Sequence, residues 1–287
     1  MEIKIAKNAG FCFGVKRALQ LVEEARKNTA GEIYTLGPLI HNPQVIQKLK
    51  DNGIHPVEDW EAINHGTVVI RSHGIPLYRR EKLEKRTELT IIDATCPFVK
   101  RTQEHVRELA NAGLQVIVVG EARHPEVIGL LSYAFDRAIV IGSKDDLSLV
   151  PKGKKLGIVS QTTQSQESFQ EIVSLLRQIG DVVEVRNTIC GATTSRQKEA
   201  AQLSLSSQLI LIIGGRNSAN TRHLAELCQK IQTNTFLIET AAEIKDEWFK
   251  NIEKAGITAG ASTPNWLIEE ALTKINLIAG KNQVSPF

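Results

Sequence analysis

Three cysteines have the residue type and the spacing to bind a metal centre. Cys12, Cys96 and Cys190 lie 84 and 94 residues apart, and each follows a short strand-like run and precedes an amphipathic helical stretch. Three thiolates at one centre could hold zinc with one further ligand, or an iron–sulfur cluster with one iron free of protein ligation. None lies in a C-x-x-C pair, so three buried cysteines are an alternative.

The fourth cysteine, Cys228, has a different setting. It shares one face of a helical stretch with Leu224 and Ile231, which is typical of a core position. We therefore exclude Cys228 as a ligand. A cluster held by the other three cysteines would keep one open iron, which could polarise a substrate oxygen while the cluster supplies electrons.

Small polar side chains stand just beyond the predicted strands. His41, His124 and Ser218 each follow a strand-ending glycine by four residues. A second equivalent group, His73, Thr162 and Ser262, follows the next predicted strands by three residues. Imidazoles, hydroxyls and an amide near helix amino termini suit a phosphate or diphosphate better than a bare carboxylate. The predicted anion-binding set is His41, His73, His124, Thr162, Ser218, Asn220 and Ser262.

Glu126 lies two residues after His124 and has two interpretations. Its carboxylate could simply favour the amino-terminal dipole of the helix that starts at Pro125. Alternatively, it could pass protons to a substrate bound nearby. Thr162 is better placed than Glu126 for a direct hydrogen bond to a substrate, but its partner cannot be read from the sequence.

The candidate residues stand at equivalent positions because strands and helices alternate in three similar repeats. The order of strand, cysteine, helix and strand predicts small, mostly parallel sheets, whose ligands bind beyond the carboxyl ends of the strands. We predict an α/β trefoil of three pseudo-threefold-related lobes around a central cavity. The lobes are residues 13–95, residues 96–189, and residues 190–287 completed by the amino-terminal strand in residues 1–12.

Each lobe has a predicted helix after its cysteine, then a strand, a short helix and a second strand. The first helices are residues 15–28, residues 99–111 and a stretch from about residue 195, followed by strands 32–36, 115–119 and 208–213. The short helices are residues 43–51, 125–133 and 220–232, and the second strands are 67–70, 155–159 and 257–259. Thr263 is expected to cap the last helix, which leads into a polar tail from Lys281.

Composition narrows the choice of function. The 287 residues carry a formal charge of +3 with dispersed Lys and Arg, so nucleic acid is not an expected partner. No apolar run reaches the length of a membrane span, and no basic segment leads into a signal core. We therefore expect no membrane partner and a cytoplasmic or organelle-stromal location. In such a reducing compartment, disulfides are not the expected use of four cysteines.

Eight motifs resemble one enzyme family, the 4-hydroxy-3-methylbut-2-enyl diphosphate reductases of the non-mevalonate isoprenoid pathway. The resemblance extends over essentially the whole chain, in order. The motifs are Ala9–Val15 (AGFCFGV), Gly37–Asn42 (GPLIHN), Arg71–Gly74 (RSHG), Asp93–Pro97 (DATCP), Arg123–Glu126 (RHPE), Gln161–Thr163 (QTT), Ile189–Thr194 (ICGATT) and Gly260–Ser262 (GAS).

The resemblance implies roles for individual residues. Cys12, Cys96 and Cys190 match the ligands of one [4Fe–4S] cluster per chain. Thr162 and Glu126 match residues near the substrate hydroxyl and its proton supply, and His124 serves both binding and proton transfer. The implied diphosphate contacts are His41, His73, His124, Ser218, Asn220 and Ser262. The family usually has a serine where this chain has Ala219, so we leave that position out of the site.

The implied reaction is a two-electron, two-proton reductive dehydroxylation. It converts 4-hydroxy-3-methylbut-2-enyl diphosphate, a small allylic diphosphate, into isopentenyl and dimethylallyl diphosphate. The electrons come from an external donor such as ferredoxin or flavodoxin. Three other functions stay open on the residues alone: a non-redox hydratase, a cluster-based redox sensor or electron carrier, and a structural zinc protein.

Overall fold

The computed structural model describes residues 1–283, with side chains described as far as residue 280. The chain forms two compact units. The first unit comprises residues 1–12, residues 41–45 and the chain from residue 191 onward. The second unit comprises residues 13–40 and 46–190.

Strands and helices alternate along nearly the whole described chain. The strands are β1 Glu2–Ile5, β2 Ile33–Leu36, β3 Ile54–Val57, β4 Gly66–Ile70, β5 Leu89–Asp93, β6 Gln115–Val119, β7 Ile139–Ile141, β8 Lys155–Ser160, β9 Asp181–Val185, β10 Leu209–Ile213, β11 Thr235–Ile238 and β12 Lys254–Ala259. The α-helices are α1 Phe13–Asn28, α2 Pro43–Asp51, α3 Leu77–Glu84, α4 Pro97–Asn111, α5 Pro125–Tyr133, α6 Gln166–Ile179, α7 Gly191–Ser206, α8 Ala219–Ile231 and α9 Asn265–Gln283. Three short 3₁₀ helices follow β7 and β11.

The strands form three four-stranded sheets within residues 1–283, and every paired strand is parallel. The second unit holds the sheets β3-β2-β4-β5 and β7-β6-β8-β9, and the first unit holds β11-β10-β12-β1. The order is the same in all three. Strand β1 pairs with β12 at a sheet edge, the position that β5 and β9 take in the other sheets. The lobe boundaries stay a prediction.

Each sheet is buried by the helices that its crossovers place on its faces. All five residues of β10 are buried, as expected for a central parallel strand. In the first unit, the core joins Leu211 and Ile257 of the sheet to Ile275 of α9. Each unit therefore has its own core, which fixes the strand ends. Within the described residues, no helix is long and apolar enough to cross a membrane.

The predicted α/β class with small parallel sheets is confirmed. Three edge strands, β3, β7 and β11, were not predicted, and α7 begins at Gly191 rather than near residue 195. The Thr263 hydroxyl, expected to cap the last helix, donates instead to the Ile213 carbonyl at 2.8 Å. Helix α9 continues to Gln283, so the predicted polar tail starts inside it. The rest of that tail, residues 284–287, lies outside the described residues.

Candidate metal and substrate site

The three predicted ligand cysteines occupy the same structural position in their repeats. Each lies just before a helix, and its backbone N–H donates to a carbonyl in the loop that follows β12, β4 or β8. The three bonds are Cys12 to Ala261 at 3.0 Å in the first unit, and Cys96 to Ser72 and Cys190 to Thr162, both at 2.9 Å, in the second unit. The repeat therefore fixes the three cysteine backbones in the same way.

The same bonds correct one predicted equivalence. Strand β8 ends at Ser160, one residue later than predicted, and Ser160 pairs with Val119 as Ala259 pairs with Ile213. Counting from these strand ends, Thr163 is the residue equivalent to His73 and Ser262. Thr162 instead corresponds to Ser72 and Ala261, whose carbonyls accept from the cysteines. The predicted equivalence of Thr162 with His73 and Ser262 was wrong, while its role in the site stays a prediction.

Glu126 and Thr162 form a closely bonded pair inside the second unit. The Thr162 backbone N–H donates to Glu126 Oε1 at 2.7 Å, and the Thr162 hydroxyl donates to Oε2 at 2.8 Å. Glu126 is only 1% exposed, although it belongs to the first turn of α5. An interaction with the helix dipole alone therefore does not account for Glu126, because both of its carboxylate oxygens accept hydrogen bonds from Thr162.

Burial raises the pKa of Glu126 from its usual value to about 7, and the two hydrogen bonds from Thr162 lower it only partly. A carboxyl group with this pKa is present in both protonation states near neutral pH. It can therefore donate and accept a proton under the same conditions, which suits a general acid or base.

His124 caps the amino terminus of α5 with its imidazole. Its Nδ1 accepts a hydrogen bond from the Glu126 backbone N–H at 3.2 Å, so Nδ1 carries no proton in this arrangement. A neutral His124 then has its proton on Nε2, where it can be donated to an anion. The His73 ring lies edge-on to His124, with 5.5 Å between ring centroids. The second unit thus brings His73, His124, Glu126 and Thr162 together.

An ion-pair network holds the segment before Cys96. The Asp93 carboxylate contacts Lys100 at 2.7 Å and Arg80 at 3.3 Å, and it accepts from the Thr95 backbone N–H at 2.9 Å. Burial favours a higher pKa for Asp93, but the hydrogen bonds from Lys100 and Thr95 outweigh it and keep the pKa below its usual value. The loop that presents Cys96 is therefore tied to helix α4 and helix α3.

Helix α7 holds the segment before Cys12 in the first unit. The Arg196 guanidinium donates to the Asn8 carbonyl at 3.0 Å and to the Gly10 carbonyl at 2.7 Å. The Glu199 carboxylate accepts from the backbone N–H groups of Lys7, at 2.5 Å, and of Asn8, at 2.9 Å. One turn of α7 thus fixes four backbone groups of the segment that leads to Cys12.

His41 and Ser262 meet in the first unit. The Ser262 hydroxyl donates to the His41 carbonyl at 3.0 Å. Gly215 lies against the same carbonyl, because a Cβ atom at this position would come within 2.7 Å of the His41 oxygen. Gly215 in turn accepts a hydrogen bond from the Ser218 backbone N–H at 3.0 Å. This chain of contacts links three of the predicted anion-binding residues in the first unit.

Helix α8 begins with a polar turn. The Ser218 side chain accepts from the Thr221 backbone N–H at 3.4 Å and caps the helix. Asn220, in the first turn, is 4% exposed, and its Nδ2 group is buried without a hydrogen-bond partner. A buried amide donor of this kind usually has an acceptor, so Nδ2 fits a bound anion. Ala219 is also buried and brings no hydroxyl to this turn.

Comparison with known proteins identifies the family. A family model described as "LytB protein" matches residues 3–276. A protein of Geotalea uraniireducens named 4-hydroxy-3-methylbut-2-enyl diphosphate reductase is 48% identical over 278 residues, which cover 97% of this chain and 98% of the relative. The chain belongs to the LytB family. A Geobacter sulfurreducens LytB relative with the same name is 48% identical over 283 residues, which cover 99% of this chain and 100% of the relative.

Two solved LytB-type structures have the same fold. A structure described as (E)-4-hydroxy-3-methyl-but-2-enyl diphosphate reductase, the terminal enzyme of the non-mevalonate pathway, is 45% identical with a TM-score of 0.72 and covers 96% of this chain and 100% of that chain. The Plasmodium falciparum E-1-hydroxy-2-methyl-but-2-enyl-4-diphosphate reductase is 30% identical with a TM-score of 0.89 and covers 96% of this chain and 87% of that chain. The predicted family and the enzyme class, an oxidoreductase, are confirmed.

Sequence reasoning about this LytB chain missed the residues that hold the cysteine loops. Arg196 and Glu199 lie more than 180 residues from the backbone they bind, and no motif rule connects such positions. Asp93 begins the DATCP motif, but the motif assigns it no role. The available signal for Asp93 was its place directly after a strand and three residues before Cys96, where a carboxylate often bonds the backbone two residues on.

Proposed function

We propose that the chain removes the hydroxyl group of 4-hydroxy-3-methylbut-2-enyl diphosphate by reduction, with two electrons and two protons, and releases isopentenyl and dimethylallyl diphosphate and water. The names of the relatives support this substrate. The observation that carries the proposal is the Glu126–Thr162 pair, a buried carboxyl with a pKa of about 7 bonded to a hydroxyl. It lies in the unit that also carries Cys96 and Cys190.

Cys12, Cys96 and Cys190 hold one [4Fe–4S] cluster per chain in this proposal. Their common backbone hydrogen bond and their partial exposure support it, and LytB proteins are iron–sulfur enzymes. Cys228 is fully buried, and burial raises its thiol pKa, which disfavours the thiolate that a metal needs. When bound, the cluster supplies single electrons and a Lewis-acidic iron with no protein ligand.

The polar residues of the predicted anion-binding set bind and orient the substrate. The diphosphate is an acceptor for the Nε2–H of His124 and for the Asn220 amide, whose Nδ2 is buried without a partner. The amino terminus of α8 adds a favourable dipole for a negative group. The proposed substrate-binding residues are His41, His73, His124, Thr162, Ser218, Asn220 and Ser262. They keep the reacting carbon close to the proton source, which lowers the entropic barrier.

Glu126 supplies a proton through the Thr162 hydroxyl. A hydroxyl group leaves as water only if it gains a proton, and the allylic carbon needs a second proton after two electrons arrive. The Thr162 hydroxyl donates to Glu126 Oε2 and has free lone pairs, so it can pass a proton between the carboxyl and the substrate oxygen. His124 is bonded to the Glu126 backbone and completes the catalytic group.

The reaction also sets the cellular requirements. The enzyme needs a reductant, which we propose to be an electron-carrier protein such as ferredoxin or flavodoxin. We place it in the cytoplasm, because thiolates that bind a cluster must stay reduced until the cluster is assembled.

Anaerobic assay of the iron-loaded protein tests this function. Protein with about four iron atoms per chain and cluster absorption should convert the allylic diphosphate with dithionite-reduced methyl viologen and form both products, resolved by mass spectrometry. Omitting the reductant is the matched control. Turnover without reductant would make the chain a hydratase, and a reducible cluster without any product would make it a sensor or carrier. One zinc ion per chain in place of iron would contradict the proposed iron–sulfur cluster and therefore the proposed function.

A further inference from the structure

Two exposed phenylalanines follow predicted ligand cysteines in the sequence. Phe13 comes directly after Cys12 and is 62% exposed, and Phe98 comes two residues after Cys96 and is 43% exposed. They occupy the first turns of α1 and α4, both of which start in the second unit. Both rings lie in the first turn of their helices, although Phe98 is one residue further from its cysteine than Phe13 is.

Each phenylalanine has a cation on the same side of its helix. Lys16 follows Phe13 by three residues and Arg101 follows Phe98 by three residues, and both cations are exposed. Residues three apart are neighbours on a helix surface. Each helix start therefore presents the same pair, one aromatic ring and one positive charge.

The two helix starts are held next to each other. The Arg17 guanidinium of α1 donates to the Thr95 carbonyl at 3.2 Å and to the Asp93 carbonyl at 3.4 Å. These carbonyls belong to the segment that leads into α4. Because Arg17 is one turn from Phe13, the first turn of α1 lies beside the entry to α4. We treat these two neighbouring helix starts, with their aromatic–cation pairs, as one face.

This face is positively charged. Lys100 adds a further cation, and the nearby Asp93 carboxylate is already paired with Lys100 and Arg80. The amino-terminal ends of α1 and α4 add partial positive charge. Glu104, one turn beyond Arg101, is an exposed acid on α4. Since the whole chain carries only +3, the positive charge at these two helix starts is a local concentration.

We propose that this face, formed by Phe13, Lys16, Arg17, Phe98 and Arg101, docks a small acidic one-electron carrier protein. The inference rests on the proposed function, in which Cys12 and Cys96 hold the cluster next to these residues in the sequence. An apolar centre with a cationic rim complements an acidic partner, and small interfaces of this kind suit transient electron transfer.

The electron balance requires two encounters per turnover. Each reduced carrier gives one electron to the cluster and leaves oxidised. After two electrons, the substrate C–O bond breaks with two protons taken up, and water and one allylic or homoallylic diphosphate are formed. Rapid release of the oxidised carrier is therefore part of the cycle, which a salt-sensitive interface allows.

Charge reversal on the face separates docking from chemistry. The double variant Lys16→Glu, Arg101→Glu should raise the KM for a reduced plant-type [2Fe–2S] ferredoxin by about tenfold or more at low salt, since like charges then face the acidic partner. Turnover with methyl viologen should not change, because a small reductant needs no docking face. Glutamate is acceptable near helix amino termini, so folding and iron content should match the parent.

The matched control is the double variant Lys27→Glu, Arg107→Glu. It makes the same charge change at exposed positions further along the same two helices. The control should keep the parent KM for ferredoxin. Equal KM values for the parent, the control and the Lys16→Glu, Arg101→Glu variant would overturn the docking proposal.

Phe98→Ala tests the apolar centre, with Leu205→Ala, an exposed leucine of the first unit, as its control. Calorimetric titration with ferredoxin should show weaker binding for Phe98→Ala only. Because binding is measured directly, it tests docking even if the parent shows no turnover with methyl viologen, a result that would overturn the proposed function instead. Unchanged binding by Phe98→Ala would remove the aromatic contribution and contradict the proposed face.

Discussion

The carboxyl group of Glu126 determines whether the chain can deliver a proton. Glu126→Gln keeps the size of the side chain but cannot exchange a proton, so the chemical step should slow by about 10²–10⁴. Substrate binding and iron content should stay near those of the parent. Anaerobic turnover with excess reductant measures the rate, and isothermal titration measures binding. Parent-like turnover would show that Glu126 is not the proton donor.

The same buried carboxyl should make stability depend on pH. The pKa of Glu126 rises from 4.5 to about 7 on folding, so between these values the folded chain holds a proton that the unfolded chain has lost. Stability therefore falls as pH rises from about 4.5 to 7 and levels off above the folded pKa. The raised pKa corresponds to about 3 kcal/mol across this window.

Glu126→Gln is the reference for that effect, because glutamine does not titrate. The difference in unfolding free energy between parent and variant should shift against the parent as pH rises from 5 to 8, measured by urea unfolding under anaerobic conditions. A difference that is constant over this range would mean that the carboxyl has an ordinary pKa.

At the scale of elements, helix α7 holds the segment between β1 and Cys12, which strand pairing does not reach. The segment from Lys7 to Gly10 leaves the sheet after β1, and Arg196 and Glu199 bind its backbone groups. Gly10 has a φ of 98°, a conformation that side chains rarely adopt, so the loop shape depends on these contacts as well as on glycine. Helix α7 thereby positions the backbone segment that leads to Cys12.

Arg196→Met should loosen this segment. The carbonyl of the buried Gly10 loses its donor, which costs about 1–3 kcal/mol, and the carbonyl of the exposed Asn8 loses a further hydrogen bond. The cluster should be lost faster on exposure to a chelator, measured by the decay of its absorption. Lys198→Met, at an exposed position of the same helix, is the control and should match the parent. Equal decay rates for both variants would show that the hydrogen bonds from Arg196 to the segment before Cys12 do not support the cluster.

The elements that the sequence predicted are those with strong apolar periodicity. Strands β6 and β10 are long apolar runs, and α2 and α5 were predicted with their observed bounds. The edge strand β3 contains Pro56, which cannot donate to a ladder, and β7 has only three residues. Such short edge strands form because they pair with a neighbouring strand, so they cannot be predicted from their own sequence.

For the whole molecule, the threefold repeat is the feature from which the candidate site could be predicted. It pointed to Cys12, Cys96 and Cys190 at equivalent junctions and separated them from Cys228. It failed by one residue at Thr162, because β8 ends at Ser160, one residue beyond the predicted strand end, and the three-residue offset was therefore counted from the wrong residue. The supporting residues Arg196 and Glu199 depend on contacts between distant parts of the chain, which no repeat rule contains.

Cluster binding should stabilise the folded chain, because the three proposed ligands come from three separate repeats. A group that binds only the folded state raises the unfolding free energy according to its affinity. The iron-loaded parent should therefore melt at a higher temperature than the chelator-treated parent. Cys96→Ser should abolish the cluster absorption and this difference in melting temperature. Cys228→Ala should keep both, although the small cavity lowers its melting temperature. If Cys228→Ala lost the cluster while Cys96→Ser kept it, the ligand set inferred from the repeat would be wrong.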